Sequence, residues 1–316
     1  MPWVDAFDRE MSSRFPELEI LQEEPMAAHT TFRIGGPARR FARPRRPEEL
    51  TALLELAGER RWPVLLVGNG SNLLVSDRGL DRLVIHTGAL ERIARTGETV
   101  LRAGAGTGLA CLASFALRAG LTGLEFAHGI PGSLGGAVCM NAGAYGGEMR
   151  QVVTRVWAWF PGEGTAALGP EELDFGYRRS VFSGKPGAVL EAEVTLAPGD
   201  PEAIRGTMED LSRRRREKQP LELPSAGSTF KRPAPVDGQP VYAAALIDGC
   251  GLKGLAVGGA QVSEKHAGFV INRGGATCGD IVKLMAQVRE RVLQETGVTL
   301  EPEVRYLGKE GEAWNF

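Results

Sequence analysis

Cysteine is scarce in this chain: there are four in 316 residues, Cys111, Cys139, Cys250 and Cys278, and no CxxC pair. That spacing excludes a disulfide scaffold and a cysteine zinc site, and it favours reduced thiols. Histidine is as rare. His29, His86, His128 and His266 share no ligand spacing, so no metal is expected. No apolar run approaches the roughly 20 residues of a membrane-spanning helix. The N-terminus is mixed and acidic through Glu24, unlike a signal peptide. Excess charge is missing too: 37 basic against 39 acidic residues leave a net −2, which recruits neither nucleic acid nor an acidic membrane. These absences describe a cytoplasmic protein with a small-molecule partner, expected to be a monomer.

What is present is apolar residues, at 43%, and 42 glycines. The first is enough for a real core, and the length suggests two or three domains. The glycines imply many tight turns or close backbone approaches. Arginines cluster at Arg33, Arg39, Arg40, Arg43, Arg45 and Arg46, and again at Arg213–Arg216. Most such side chains form a solvated basic face, and one or two can face a ligand phosphate.

The apolar periods divide the chain. Pro47 opens a helix with Leu50, Leu53, Leu54 and Ala57 on one face, and short apolar strands follow at 64–67, 73–75 and 83–85. From 91 to 212 strands dominate, at 100–103, 152–160 and 189–196, with a helix over 109–119 stopped by Gly120 and a polar helix ending at Lys218. In the last third, Ile281, Leu284, Met285, Val288 and Val292 predict a helix over 280–296, capped by Asp280 and Gly297. The expected divisions are 1–90, 91–212 and 213–306, with a tail over 307–316.

Common nucleotide signatures fail. Gly249, Gly251 and Gly254 form a GxGxxG, but no helix opens inside it and no acidic residue follows at the right distance. Two other glycine-rich segments remain. Gly68-Asn69-Gly70-Ser71-Asn72 lies between two strands; it fits a phosphate nest, but taken alone it reads as an ordinary turn. His128–Ala137 continues through Asn141 and Gly143 to Gly147 almost without charge, and reads as main chain laid against a large, partly apolar ligand. Two such loops suggest a clamped dinucleotide, a flavin nucleotide rather than a readily released NAD. Three further segments carry chemistry. Phe175–Phe182 sets Arg178 and Arg179 between aromatics, where guanidinium can grip a carboxylate. Ser228 follows Gly227 ahead of the basic pair Lys231-Arg232, without the partners of a hydrolase triad. Glu303 sits in a strand-like Glu301–Arg305, a setting that taken singly suits a surface ion pair.

TFRIGGPA at 31–38, GNGSN, GIPGSLGGA with NAGAYGGE, FGYRRSVF, AGSTFKRP and PEVR occur in that order. This ordered set resembles the UDP-N-acetylenolpyruvoylglucosamine reductases, also called UDP-N-acetylmuramate dehydrogenases, over about 25–308. The resemblance implies an α+β fold: a two-subdomain FAD-binding unit of the p-cresol methylhydroxylase type plus a C-terminal α+β substrate-binding domain. It implies FAD and NADPH as cofactors, and reduction of an enolpyruvyl double bond in a sugar-nucleotide precursor of peptidoglycan. It assigns FAD contacts to Gly68, Asn69, Gly70, Ser71, Asn72, Ile130, Pro131, Gly132, Ser133, Gly136, Asn141, Gly143 and Val189. Substrate contacts fall to Tyr177, Lys218, Lys231 and Arg232. Arg178 and Glu303 match the positions that stabilise the enolate formed by hydride addition, and Ser228 matches the acid that protonates it. Some relatives insert a tyrosine-bearing loop before the third domain. Here Leu196 passes through Ala197–Pro201 into a helix, so the chain resembles the loop-lacking class. An oxidase or dehydrogenase of the same FAD fold, acting on an alcohol or sugar with His128 as tether, is the competing enzyme class. A flavin- or nucleotide-sugar-binding module without turnover is the non-enzymatic one.

Overall fold

A computed structural model describes residues 2–235 and 238–310. The expected tail therefore lies outside the described residues from 311 onward. The chain forms two compact units, Met1–Gln22, Arg40–Asn69 and Arg82–Arg215 in the first, and Glu23–Arg39, Gly70–Asp81 and Arg216–Phe316 in the second. Seven α-helices run through the described residues: α1 Pro2–Arg14, α2 Pro47–Glu59, α3 Leu109–Arg118, α4 Leu134–Cys139, α5 Pro201–Lys218, α6 Ala243–Gly249 and α7 Cys278–Thr296. None is long and apolar enough to cross a membrane.

The first unit holds two apolar cores. One gathers Phe7, Leu50, Leu53, Leu83 and Ile85, from α1, α2 and the strands beside them. There Val64–Val67 pairs in parallel with Leu83–His86. The other core lies on an antiparallel sheet of five strands, in the order Gly164–Leu168, Val153–Phe160, Ala188–Thr195, Val100–Gly104, Ile93–Arg95. Helices α3 and α4, and Ile204 and Met208 of α5, add further buried side chains, as do residues of the connecting segments such as Phe126, Met149 and Leu173. Between Thr195 and α5 the chain makes only the short strand Ala197–Pro198, so no loop is inserted there.

The second unit is built on α7, whose Ile281, Leu284, Met285, Val288 and Val292 are fully buried. Each such side chain stabilises the fold by about 1.5–3 kcal/mol. They pack with Phe32, Leu74, Phe230, Ile247 and Val304. A three-stranded antiparallel sheet, Ala256–Val257, Ala260–Val262 and Val270–Asn272, belongs to this unit, as does a parallel pair of Leu73–Val75 with Arg305–Leu307.

Two expectations need correction. Asp280 is not the cap of α7. Thr277 is: its hydroxyl accepts from Asp280 N at 3.0 Å, and the Asp280 carboxylate accepts from Thr277 N at 3.0 Å, so the helix starts at Cys278. Asp77 adds two more acceptors, to Cys278 N at 2.8 Å and Gly279 N at 3.2 Å. And the 128–147 segment is not all loop, because it contains α4. Sequence alone opposes that helix, with glycines at positions 135 and 136. Backbone bonds from Leu134 N to Thr107 O and Gly135 N to Ala105 O, both 2.8 Å, fasten its first turn.

Candidate functional site

The candidate residues are divided between the two units. In the first, Gly68 ends the strand at Val67, and a β-carbon there would fall 2.3 Å from Ser133 Oγ. Any larger residue at position 68 would have to turn the Ser133 hydroxyl aside. Asn69 Nδ2 reaches Pro131 O at 3.4 Å. Ser133 leads into α4 with its hydroxyl buried, and that oxygen has no hydrogen-bond partner among the described residues. A buried hydroxyl left unpaired costs about 1–3 kcal/mol, so this atom suits an absent polar ligand. A nucleotide phosphate meets that need, and at exposed Gly136 a β-carbon would only touch Ser133 Oγ, at 3.5 Å. The groups present therefore fit a flavin nucleotide.

Not every glycine in the run serves a ligand. A β-carbon at Gly135 would meet Ala105, one at Gly143 the Gly147 carbonyl at 2.6 Å, and one at Gly147 the Phe126 ring at 2.4 Å. These close approaches are within the protein. Ile130 packs against the core beside Pro131 and Gly132, and the Val189 side chain is buried in its strand. Asn141 is buried at φ 40° and spends its side chain on the protein: Nδ2 donates to Glu148 at 2.9 Å and Gly176 O at 3.0 Å, and Oδ1 accepts from Arg150 N.

The Gly176 bond matters for Arg178. Gly176 and Arg179 exchange backbone hydrogen bonds, so Tyr177 and Arg178 form the two-residue tip of a tight hairpin. Arg178 adopts φ 53°, a left-handed conformation that a non-glycine side chain enters at about 1 kcal/mol or more. Asn141 and the Ser180 hydroxyl, bonded to Cys139 O at 2.8 Å, hold the hairpin in place. The strain presents Arg178 and the exposed Tyr177 together, the guanidinium 5.3 Å from the ring centre. His128, the tether candidate, has Nδ1 3.2 Å from Ser212 Oγ.

In the second unit four distant motifs meet. Thr31 N donates to Gly70 O, and its hydroxyl to Ser225 O at 2.6 Å. A β-carbon at Gly70, at φ 60°, would fall 2.0 Å from His29 O, which fixes glycine there. Ser71 follows, half-buried. Asn72 clamps the last motif: its Nδ2 donates to Glu303 O at 3.0 Å and its carbonyl accepts from Arg305 N at 2.9 Å. Glu303 N in turn donates to Thr229 O at 2.9 Å, and Phe230 bridges to Pro302. That pairing sets exposed Ser228 one residue from the partner of Glu303, while Thr229 and Phe230 face the core. Lys231 pairs with Glu301 at 3.2 Å, and Arg232 lies 5.1 Å from the Tyr242 ring centre. Both basic residues border a recess of about 360 Å³. Lys218, the last residue of α5, is exposed. The segments that carry Ser228 and Glu303 thus adjoin through their backbones, whereas Arg178 belongs to the other unit. The sequence did not single out Arg215 within its arginine run, and it gave Thr31 and Asp77 no role.

Comparison with known proteins accounts for both units. A model of an FAD-binding domain matches residues 38–166, and one of the UDP-N-acetylenolpyruvoylglucosamine reductase C-terminal domain matches residues 219–307. The UDP-N-acetylenolpyruvoylglucosamine reductase of Agathobacter rectalis is 45% identical, covering 96% of this chain and 99% of the relative. That of Heliobacterium modesticaldum is 47% identical over 92% and 91%. Among solved structures, UDP-N-acetylenolpyruvylglucosamine reductase from Thermus caldophilus is similar with a TM-score of 0.76 at 37% identity, covering 92% of this chain and 98% of that one.

Proposed function

The chain belongs to the UDP-N-acetylenolpyruvoylglucosamine reductase family, and on that premise we propose how its residues share the reaction. It is an FAD-dependent oxidoreductase that uses NADPH to reduce the enolpyruvyl double bond of UDP-N-acetylglucosamine enolpyruvate, giving UDP-N-acetylmuramate for peptidoglycan. Bound FAD supplies the two-electron chemistry that couples the nicotinamide to the alkene. The vinyl CH2 gains hydride and becomes CH3; the neighbouring carbon, carrying enolate charge shared with its carboxylate, takes a proton.

Gly68–Asn72, Ile130–Ser133, Gly136, Asn141, Gly143 and Val189 line the cofactor, several of them through main chain alone. Arg178 holds positive charge where the enolate develops, and its strained hairpin sets it there before reaction. Ser228 gives its hydroxyl proton to the enolate carbon; being exposed in the free enzyme, it regains one from water. Glu303 supports that transfer from the adjoining strand. Tyr177, Lys218, Lys231 and Arg232 contact the sugar nucleotide, the basic pair through its diphosphate. NADPH and a charged nucleotide sugar fit a cytoplasmic reaction. A monomer is consistent with large apolar side chains exposed at only five described positions, Tyr145, Tyr177, Leu221, Tyr242 and Leu293.

The observation that supports this assignment is the Glu303–Thr229 backbone bond, which brings the segment bearing Ser228 beside the segment bearing Glu303. Stopped-flow spectra of Ser228→Ala test it. NADPH should bleach the flavin at the normal rate, and re-oxidation by the enolpyruvyl substrate should slow about 10²–10⁴-fold. Equal loss of both half-reactions would remove Ser228 from the proton transfer.

A further inference from the structure

Near its C-terminal end helix α5 carries four consecutive arginines, Arg213–Arg216, and they do not behave alike. Ile204, Met208, Ser212 and Arg215, at i, i+4, i+8 and i+11, share one helix face. Ile204 and Met208 are buried, and Ser212 reaches His128. Arg213 and Arg214 point elsewhere, with side chains more than half exposed, and both pair with Asp210. Arg215 follows the buried face. A β-carbon on Gly129 would stand 3.0 Å from its Cδ and 3.4 Å from Nη1, so the guanidinium lies against the start of the glycine-rich segment. Among the described residues no carboxylate pairs with it and no hydrogen-bond acceptor meets it. Burial pushes its guanidinium below the ordinary arginine value, with nearby Tyr145 opposing.

Arg215 is half-buried, and a cation partly withdrawn from water without a partner is held at a cost. The last turn of α5 returns only about 0.3–1 kcal/mol through the helix dipole. The deficit points to a missing anion. Ser133 Oγ, four residues beyond Gly129, is buried and unpaired as well. Two unsatisfied donors therefore border one five-residue stretch, the stretch that the FAD-binding reading gives to the cofactor.

We propose that Arg215 is the counter-charge for an anionic group of bound FAD, either its diphosphate or the pyrimidine edge of the ring, which gathers negative charge on reduction. This rests on the cofactor lying against Gly129–Ser133. The holoenzyme carrying Arg215→Met, Arg215→Lys or, as control, Arg214→Met tests it. Free FAD on dilution, read by fluorescence, gives affinity; dye-coupled reductive titration gives the midpoint potential; sulfite titration reports charge near the ring. If the partner is the diphosphate, Arg215→Met weakens FAD binding at least tenfold and leaves the potential alone. If it is the ring, the reduced form loses at least tenfold in relative affinity, a fall of about 30 mV, and sulfite binds more weakly. In either case Arg215→Lys recovers part of the loss and Arg214→Met matches wild type. Wild-type affinity, potential and sulfite binding in folded Arg215→Met would overturn the proposal. Should that variant fail to fold, wild-type values in both Arg215→Lys and Arg215→Gln overturn it equally. A wild-type chain that takes up no FAD sinks the cofactor assignment instead.

Discussion

Helices α7 and α4 stand at opposite ends of one comparison. At the start of α7 the backbone donors and side chains find partners inside the protein: Thr277 and Asp280 cap each other, Asp77 takes Cys278 N and Gly279 N, and five apolar side chains are fully buried. Around α4, Ser133 Oγ has no partner, and half-buried Arg215 meets no carboxylate among the described residues. The difference separates a region organised for stability from one whose polar groups await something else. A fold tolerates a few unpaid donors where binding will satisfy them.

Variants can break this contrast. The largest expected effect is on the α7 side. Leu284→Ala should remove about 2–5 kcal/mol from unfolding stability. Urea titration checks the loss, and FAD affinity of the folded fraction should stay at the wild-type value; a parallel fall in affinity would show that the two regions are not separable. Ser133→Ala should do the reverse. It deletes a buried hydroxyl that the protein does not use, so the melting temperature without added FAD should hold or rise. FAD affinity should fall about tenfold, the loss of one hydrogen bond of ~1.4 kcal/mol. Destabilisation with unchanged affinity would make Ser133 a structural residue.

The smallest effect is one of pH. Burial holds the His266 imidazole below its ordinary value, and the ring nitrogen accepts from Gly268 N at 3.1 Å, as a neutral imidazole must. Gly268 O in turn accepts from Thr229 N, beside Ser228. With a depressed value in the folded state, this stability is complete above the ordinary histidine pKa of about 6.5 and is lost as pH falls below it. Denaturation midpoints between pH 7.5 and 5.5 should slope downward in wild type and flatten in His266→Asn. Equal slopes would exclude the imidazole as the cause.

Legibility followed the same divide. Helices α2, α3, α5 and α7 were readable because amphipathic spacing and end signals are local, Pro47 at one end and Gly297, at φ 72°, at another. The cap of α7 was misplaced by three residues, since Thr277 and Asp280 are both capping residues and only their reciprocal bonds rank them. Helix α4 was hidden by its glycines, and what holds it, Thr107 and Ala105 carbonyls, lies about thirty residues upstream. In the candidate site, Ser228, Glu303 and Arg178 were visible as motif members. That Asn141 is consumed by the protein, or that Arg215 departs from its exposed neighbours, was not.

The order of motifs along the chain was by itself sufficient to place the protein in its reductase family, with FAD, NADPH and an enolpyruvyl sugar nucleotide. Apolar periods determined helices α2 and α7, because each period is a property of contiguous residues. Tertiary structure alone decided which polar atoms are paired and which are left over. Whether a hydroxyl or guanidinium has a partner depends on segments a hundred residues away, and no local pattern carries that information.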